Sequence, residues 1–170
     1  MENTNQLYLI GMMGSGKSST AKALSLSLGW KFIDIDNELT KSFDMTINEL
    51  FLRGEENFRK LEFAELQKHI LKENTVIAVG GGAVSYKDSY ELLSSKHCIY
   101  LKTSKNILLD RLKDDNSRPL LNVQNKDEVF EEIMLKRQQK YEALCKSEVI
   151  TDNQTIQDNC NQIMEIINVQ

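Results

Sequence analysis

The stretch Leu9–Thr20, LIGMMGSGKSST, places three glycines and one lysine directly behind a short apolar run. Its central part, Gly11–Ser18, fits the pattern G-x-x-x-x-G-K-[ST] and lies between a predicted strand and a predicted helix, as the pattern requires. Glycines allow backbone N–H groups to turn inward around an oxyanion, and the helix start adds a positive dipole end. The stretch therefore predicts a phosphate-binding loop. The alternative is a glycine-rich turn without a ligand.

Two side chains of this loop suit a magnesium nucleotide. Lys17 offers a mobile positive charge for the β- and γ-phosphates. The Ser18 hydroxyl can join the coordination shell of Mg²⁺, which keeps several waters and takes few protein ligands. We therefore expect Mg²⁺ as the cofactor.

Two aspartates in the stretch Phe32–Asp36 are candidates for the carboxylates that such a site needs. Asp34 and Asp36 lie two residues apart, so on a strand both would point to the same face. At the carboxyl end of a parallel strand that face can open onto the phosphate crevice. We expect one carboxylate to serve Mg²⁺ and the other a substrate hydroxyl. The alternative is a polar strand end that leads into a surface turn.

Three consecutive glycines, Gly80, Gly81 and Gly82, follow the apolar run TVIAV. With no side chain in the way, a small ligand could rest on their backbone N–H groups. The alternative is a tight turn that only needs positive φ.

Arginine is rare in this chain, and lysine is the common surface cation. Of the 21 basic residues, the arginines are Arg53, Arg59, Arg111, Arg118 and Arg137. Arginine binds carboxylate or phosphate through two parallel hydrogen bonds and stacks on aromatic rings, which lysine cannot do. Arg59 has Glu55 and Glu62 on the same predicted helix face, so a salt-bridged surface is its alternative role. Arg118 lies in a polar loop that is typical of a mobile lid, although it could equally be a solvated arginine.

Five short β-rich runs alternate with helical patterns along the chain. The runs are Leu7–Ile10, Lys31–Ile35, Thr75–Val79, Cys98–Leu101 and Glu148–Thr151. This alternation predicts an α/β fold with a parallel sheet and right-handed crossovers. Because the runs are continuously apolar, we expect the strands to be buried on both faces.

The helical patterns carry recognisable caps. Ser18–Leu28 has an apolar face, and Thr46 with Glu49 is a predicted capping box. A further helix is predicted from Glu55 to about Leu71. Thr155 is the predicted N-cap of a closing helix. The apolar face of that helix is predicted to contain Ile156, Cys160, Ile163 and Ile167.

Composition limits the possible functions. With 170 residues and a net charge of −4, we expect one domain and no general attraction to nucleic acid or anionic membranes. The chain start lacks the basic residues of a signal peptide, and no apolar run approaches the ~20 residues of a membrane helix. Its three cysteines lie at no metal-ligand spacing with each other or with the histidines, so we expect reduced thiols rather than a zinc site. These features favour a soluble cytoplasmic protein.

Taken together, the motifs resemble those of the shikimate kinase family over essentially the whole chain. The matching elements, in family order and spacing, are Gly11–Ser18, Phe32–Asp36, Gly54–Arg59 with Glu62, Gly80–Gly82, Arg118-Pro-Leu-Leu and Arg137-x-x-x-Tyr141. The resemblance implies a P-loop NTPase fold with a five-stranded parallel sheet, order 2-3-1-4-5, flanked by helices. It implies one domain over residues 1–170, substrate-binding helices at about 36–71 and a mobile lid at about 112–125.

The resemblance further implies phosphorylation of the shikimate 3-hydroxyl by ATP, on the route to chorismate and the aromatic amino acids. Catalytic roles would fall to Lys17, Asp36 and Arg118. ATP would be bound by Gly14, Ser15, Gly16, Lys17, Ser18, Ser19, Arg111, Arg118 and Gln154. Shikimate would be bound by Asp36, Arg59, Gly80, Gly81, Gly82 and Arg137. Mg²⁺ would contact Ser18 and, through water, Asp34. The resemblance gives Arg53 no role.

Other functions stay open from the sequence. A kinase of another small hydroxy acid, such as gluconate, could use the same fold, but the paired arginines, the two aspartates and the glycine run favour shikimate. A non-catalytic nucleotide-binding relative would be expected to lack a catalytic residue, and none is lost. A nucleic-acid-binding P-loop protein is a further alternative, but the acidic balance and the lack of a basic stripe argue against it. We expect a monomer whose partners are ATP and shikimate, with no nucleic acid or membrane.

Overall fold

The structure is a computed structural model and describes residues 5–115, 117, 119–121 and 123–168. Arg118, the central residue of the predicted lid, lies outside the described residues, as does its neighbour Asn116.

The described part of the chain contains five strands in one parallel sheet. They are β1 Gln6–Ile10, β2 Lys31–Asp34, β3 Thr75–Ala78, β4 Cys98–Lys102 and β5 Ser147–Ile150. The spatial order is β2-β3-β1-β4-β5, which confirms the order that the resemblance implies. β1 is central because Tyr8 lies opposite Ile77 of β3 on one side and Cys98 of β4 on the other.

Helices cover both faces of this sheet. They are α1 Lys17–Leu28, α2 Ile35–Phe43, α3 Ile47–Phe51, α4 Glu55–Gln67, α5 Lys87–Ser94, α6 Lys105–Arg111, α7 Lys126–Leu144 and α8 Ile156–Asn168. Side chains alternate between the faces of a strand, so Leu7 and Leu9 pack in a core with α1 and α8. Tyr8 and Ile10 point the other way, into a larger core with α2 to α7.

Burial on both faces holds for the inner strands and is wrong for the edge strand β5 and for the start of β2. All residues of β1 and β3 are buried, whereas Lys31 at the start of β2 is exposed. In β5, Val149 is buried with α8, but Glu148 and Ile150 on the opposite face are exposed. β5 is an edge strand with only one neighbouring strand, and helices cover only the face that carries Val149.

The predicted strand Lys31–Ile35 is one residue too long, and this changes the geometry of the two aspartates. β2 ends at Asp34, whose Oδ1 accepts a hydrogen bond from the Asn37 N–H at 3.1 Å and caps α2. Asp36 then lies in the first turn of α2. The prediction that both aspartates point from one face of a strand is therefore wrong. Aspartate is among the most favourable N-cap residues, and α2 begins directly after Asp34.

The other predicted caps are confirmed. Thr46 and Glu49 form both hydrogen bonds of a capping box at α3, and the Thr155 hydroxyl accepts from the Asp158 N–H at 3.1 Å before α8. α4 ends at Gln67, short of the predicted end at about Leu71. Ile156 is 46 % exposed, so the buried face of α8 begins only at Cys160.

Two leucines of α1 provide a matched test of the smaller core. Leu24 is completely buried and Leu26 is 77 % exposed. We expect Leu24→Ala to lower the free energy of unfolding by about 2–5 kcal/mol, because it leaves a cavity between α1 and the sheet. Leu26→Ala should change it by less than about 0.5 kcal/mol. Urea unfolding of the two variants measures both values, and equal losses would contradict this packing.

Candidate active site

The loop between β1 and α1 is shaped by glycines in the left-handed region. Gly14 has φ of 81° and Gly16 has φ of 88°, a conformation that other residues rarely adopt. The Met12 carbonyl accepts hydrogen bonds from the Ser15 N–H at 3.1 Å and from Lys17 Nζ at 2.8 Å. The loop thus curls back on itself and keeps the Lys17 ammonium group over its own backbone.

Two connected spaces join this loop to the other predicted elements. A cavity of about 30 Å³ is lined by Met13, Lys17, Ser18, Asp34, Asp36, Ala78, Val79, Gly80 and Gly81. An adjacent cleft of about 610 Å³ shares Ser18, Asp34 and Asp36 and extends along α2 to the start of α3. The loop, both aspartates and the glycine run therefore belong to one site.

The glycine run leaves space for side chains of α4. None of its three residues has positive φ, so the run is not the positive-φ turn that was its alternative. A Cβ at Gly80 would lie 1.9 Å from Glu62 Oε1, and a Cβ at Gly82 would lie 1.9 Å from Arg59 Nη2. These distances are far inside van der Waals contact, so only glycine fits at both positions while α4 keeps its side chains there.

Arg59 is buried in an ion-pair and aromatic environment. Its Nη1 donates to Glu62 Oε2 at 2.8 Å, and its Nη2 donates to Glu55 Oε1 at 3.1 Å. The guanidinium carbon lies 5.2 Å from the ring centroid of Phe58 and 5.9 Å from that of Phe51. The salt bridges that the helix spacing predicted are present, but the pair with Glu62 is buried in the site, and only the Glu55 partner is exposed to solvent.

Glu62 is a buried carboxylate that the sequence indicated only as a partner of Arg59. Its side chain is almost completely buried, and its Oε1 has no hydrogen-bond partner in the described part of the chain. Burial raises the pKa of Glu62, while the Arg59 guanidinium opposes that rise. The Asp36 carboxylate raises the same pKa further, so the two acids disfavour each other's charge.

Arg137 brings a second buried guanidinium to the same place. It lies on α7 and is almost completely buried. Burial lowers its pKa, and the positive charge of Arg59 lowers it further. Two buried cations that repel each other make this point of the site favourable for an added anion.

These groups line a small cavity of about 50 Å³. It is lined by Met13, Asp36, Ile47, Phe51, Phe58, Arg59, Glu62, Gly81, Gly82, Pro119, Leu120 and Arg137. Sequence reasoning missed its apolar walls. Pro119 and Leu120 belong to the predicted lid, and Leu121 beside them is buried, so this part of the lid is not the purely polar loop that was expected.

The remaining predicted nucleotide contacts lie at the rim. Arg111 Nη1 donates to the Gly14 carbonyl at 3.0 Å, which places this arginine on the phosphate-binding loop. Ser19 is exposed in the first turn of α1. Gln154 is exposed in the turn between β5 and α8 and is not among the lining residues of the cavities described above. Arg53 is exposed beside Met45 Sδ at 3.2 Å.

A further group of possible metal ligands lies between α2 and α4. Glu38, Glu65 and His69 offer ligand atoms within 4.8 Å of one another. Lys41 Nζ already binds Glu38 Oε1 at 2.9 Å, and Lys68 Nζ binds Glu65 Oε2 at 2.6 Å. These ammonium groups neutralise the carboxylates, so we interpret the group as ion pairs formed within each of the two helical segments.

Comparison with known proteins identifies the family. The family model for shikimate kinase matches residues 13–168. The chain belongs to the shikimate kinase family. The shikimate kinase of Francisella philomiragia subsp. philomiragia is 38 % identical over 168 residues, 96 % of this chain and 94 % of that protein. The shikimate kinase of Francisella tularensis subsp. novicida is 38 % identical over 167 residues, with the same shares covered.

Solved structures of shikimate kinases share this fold. Shikimate kinase from Acinetobacter baumannii, in complex with shikimate, has a TM-score of 0.94 at 29 % identity and covers 99 % of this chain and 95 % of that chain. Shikimate kinase from Aquifex aeolicus has a TM-score of 0.83 at 32 % identity and covers 96 % of each chain. Deoxyadenosine kinase from M. mycoides, at 15 % identity and a TM-score of 0.63, is similar in fold alone.

None of the helices in the described part of this chain combines the length and the apolar character that crossing a membrane requires.

The contact between the glycine run and α4 can be tested by unfolding alone. Gly82→Ala places a methyl group on the Arg59 guanidinium, so we expect it to lower the free energy of unfolding by about 1–3 kcal/mol. In an Arg59→Ala background the obstacle is gone, and the same substitution should cost less than half as much. A urea double-mutant cycle measures this coupling. Additive losses would show that Gly82 and Arg59 do not compete for the same space.

Proposed function

We propose that this chain transfers the γ-phosphoryl group of ATP to the 3-hydroxyl group of shikimate, as the kinase step on the route to chorismate and the aromatic amino acids. The observation that carries the proposal is the convergence of Arg59, Arg137 and Asp36 on one small cavity beside the phosphate-binding loop. Family membership agrees with this activity. Shikimate is a small anion with several hydroxyl groups, and those residues match its carboxylate and a reacting hydroxyl.

The nucleotide would be held by the phosphate-binding loop. Backbone N–H groups from Gly14 to Ser19 would surround the phosphates at the positive end of α1. The ammonium group of Lys17 donates a hydrogen bond to the Met12 carbonyl, and its side chain is long enough to reach the β- and γ-phosphates instead. At the rim, Arg111 and Gln154 would contact the nucleotide, and Arg118 would reach the transferring phosphoryl group.

The residues beside the loop fit a magnesium ion. The Ser18 hydroxyl and the Asp34 carboxylate line the same cavity, and a few oxygen donors completed by water are the ligand set that Mg²⁺ prefers. Asp34 Oδ1 already accepts the hydrogen bond that caps α2, which favours contact with the ion through water. When bound, the ion neutralises charge on the phosphate oxygens.

The substrate carboxylate would lie between the two buried arginines. Arg59 is already oriented by Glu62 and by the rings of Phe51 and Phe58, so little freedom is lost when it binds an anion. Arg137 has no ion pair with a described residue that would have to be broken. Gly80, Gly81 and Gly82 would offer backbone contacts at the same wall of the cavity.

Asp36 would act on the reacting hydroxyl. It lines both the nucleotide-side cavity and the carboxylate-side cavity, as do Met13 and Gly81, so its carboxylate would lie between the two substrates. A carboxylate there can orient the hydroxyl and accept its proton as the bond to phosphorus forms. The remaining work is positioning and charge stabilisation, which dominate phosphoryl transfer. A monomeric, cytoplasmic enzyme stays a prediction.

One assay separates the candidate functions. ADP release is followed with ATP and Mg²⁺ in the presence of shikimate, of gluconate, or of no acceptor. We expect release with shikimate alone, and loss of that release in Lys17→Ala, because the lysine offsets charge on the phosphates. Turnover with gluconate would instead identify a kinase of another hydroxy acid. Nucleotide binding without release for any acceptor would indicate a non-catalytic relative.

Asp36→Asn tests the proposed proton transfer. The amide has nearly the same shape but accepts no proton at neutral pH, so kcat should fall by ~10²–10⁴-fold while ATP affinity changes little. Asp44→Asn is the matched control, because Asp44 is an exposed aspartate of the same cleft, away from the arginines. A decrease of less than about tenfold for Asp36→Asn would leave Asp36 an orienting group only.

A further inference from the structure

Tyr141 connects three parts of the site. Its hydroxyl donates a hydrogen bond to the Gly81 carbonyl at 2.5 Å and lies 3.7 Å from Met12 Sδ in the phosphate-binding loop. The positive charge of Arg137, one helical turn earlier on α7, opposes the rise that burial causes in the pKa of Tyr141. The hydroxyl thus contacts the glycine run and the phosphate-binding loop directly, and the charge of an arginine of the proposed carboxylate site acts on it.

The ring of Tyr141 cannot easily follow movements of its partners. It is completely buried and stacks on Tyr100 of β4, with ring centroids 5.1 Å apart and an angle of 26° between the planes. Close packing of this kind holds a side chain in one rotamer. The hydroxyl is thus a fixed point that orients the groups bound to it.

Fixing the Gly81 carbonyl also fixes the next N–H group. In a planar trans peptide the carbonyl of Gly81 and the N–H of Gly82 point in opposite directions. No described residue accepts a hydrogen bond from the Gly82 N–H, and Gly82 lines the same cavity as Arg137. The contact of Tyr141 with Gly81 therefore determines where this unused donor points.

The glycine run also packs closely against the phosphate-binding loop. A Cβ at Gly81 would lie 3.3 Å from the Gly11 carbonyl oxygen and from the Met13 N–H nitrogen. A shift of the Gly81 peptide would thus disturb the loop on one side or the carboxylate site on the other.

We propose that Tyr141 is a positioning residue, whose hydroxyl holds the Gly81–Gly82 peptide in one orientation beside the Arg137 guanidinium for the substrate carboxylate. This inference rests on the proposed function, because it takes the anion at Arg137 to be the carboxylate of shikimate. Loss of the hydroxyl leaves the partly buried Gly81 carbonyl without this donor, so the peptide beside Arg137 is free to shift. The carboxylate-binding half of the site then loses its preformed geometry.

The test compares two tyrosines of the same stack. Tyr141→Phe should raise the KM for shikimate about tenfold, as expected when a partly buried hydrogen bond is lost, and should change the KM for ATP little. Tyr100→Phe is the control, because Tyr100 is equally buried but its hydroxyl forms no hydrogen bond with a described residue. The methyl ester of shikimate provides a second measurement, because a purely structural effect of the substitution would be the same with the ester as with the acid. The ester lacks the carboxylate charge, so the native chain and Tyr141→Phe should differ much less with it.

The outcomes separate the inference from the function. If the native chain does not turn over shikimate, the proposed function fails and the inference fails with it. If the native chain is active but the two variants have equal KM values for shikimate, the inference alone is overturned. The same holds if Tyr141→Phe loses as much with the ester as with the acid.

A measurement on the native chain covers the case in which Tyr141→Phe does not fold. Tyrosine labelled with ¹³C at Cζ reports the hydrogen bonding of each hydroxyl by NMR. On saturation with shikimate, the signal of Tyr141 should shift because the bound carboxylate offsets the charge of Arg137 that acts on this hydroxyl, whereas the signal of Tyr100 should stay. An unchanged Tyr141 signal would overturn the positioning role.

Discussion

The buried ion pair between Arg59 and Glu62 is the constraint on which the rest of the site depends. Two charges removed from water are tolerated only with close contact and good geometry, and removing one partner leaves the other buried and uncompensated. The pair therefore has to be accommodated as a unit. The structure does this by placing it against backbone that carries no side chains, so that Gly80 and Gly82 at the end of β3 and the side chains of α4 determine each other.

Charge balance around this pair explains why the pocket suits an acid. Glu62 and Glu55 offset the charge of Arg59, whereas Arg137 adds a second buried cation that Arg59 repels. A substrate carboxylate would stabilise that second cation, and the buried Glu62 beside it opposes a further anion. Under the proposed function, the pocket would therefore select one negative charge placed between the arginines, which is a stronger requirement than a generally positive surface would impose.

The sequence predicts the order of elements better than their junctions. Local patterns are enough for the phosphate-binding loop and for the capping boxes, because those depend on residues within one turn of each other. The family resemblance supplied the order of the strands, which no local pattern contains. The boundary at Asp34 was wrong because one side-chain hydrogen bond to Asn37 decides between strand and helix. The pairing of Glu62 with Gly80, and the apolar wall from Pro119 and Leu120, depend on contacts between distant parts of the chain, so no local pattern could indicate them.

The exposed edge strand β5 has a consequence for how these molecules meet one another. An open sheet edge offers unpaired N–H and C=O groups to any extended segment of another molecule. β5 has only four residues, and its exposed Glu148 is bound by Lys102 of β4 at 3.2 Å. A short edge with a charged side chain gives a foreign strand few partners and an unfavourable desolvation step. Continuation of the sheet from one molecule into the next is therefore disfavoured, which protects a crowded solution of this protein from edge-to-edge aggregation.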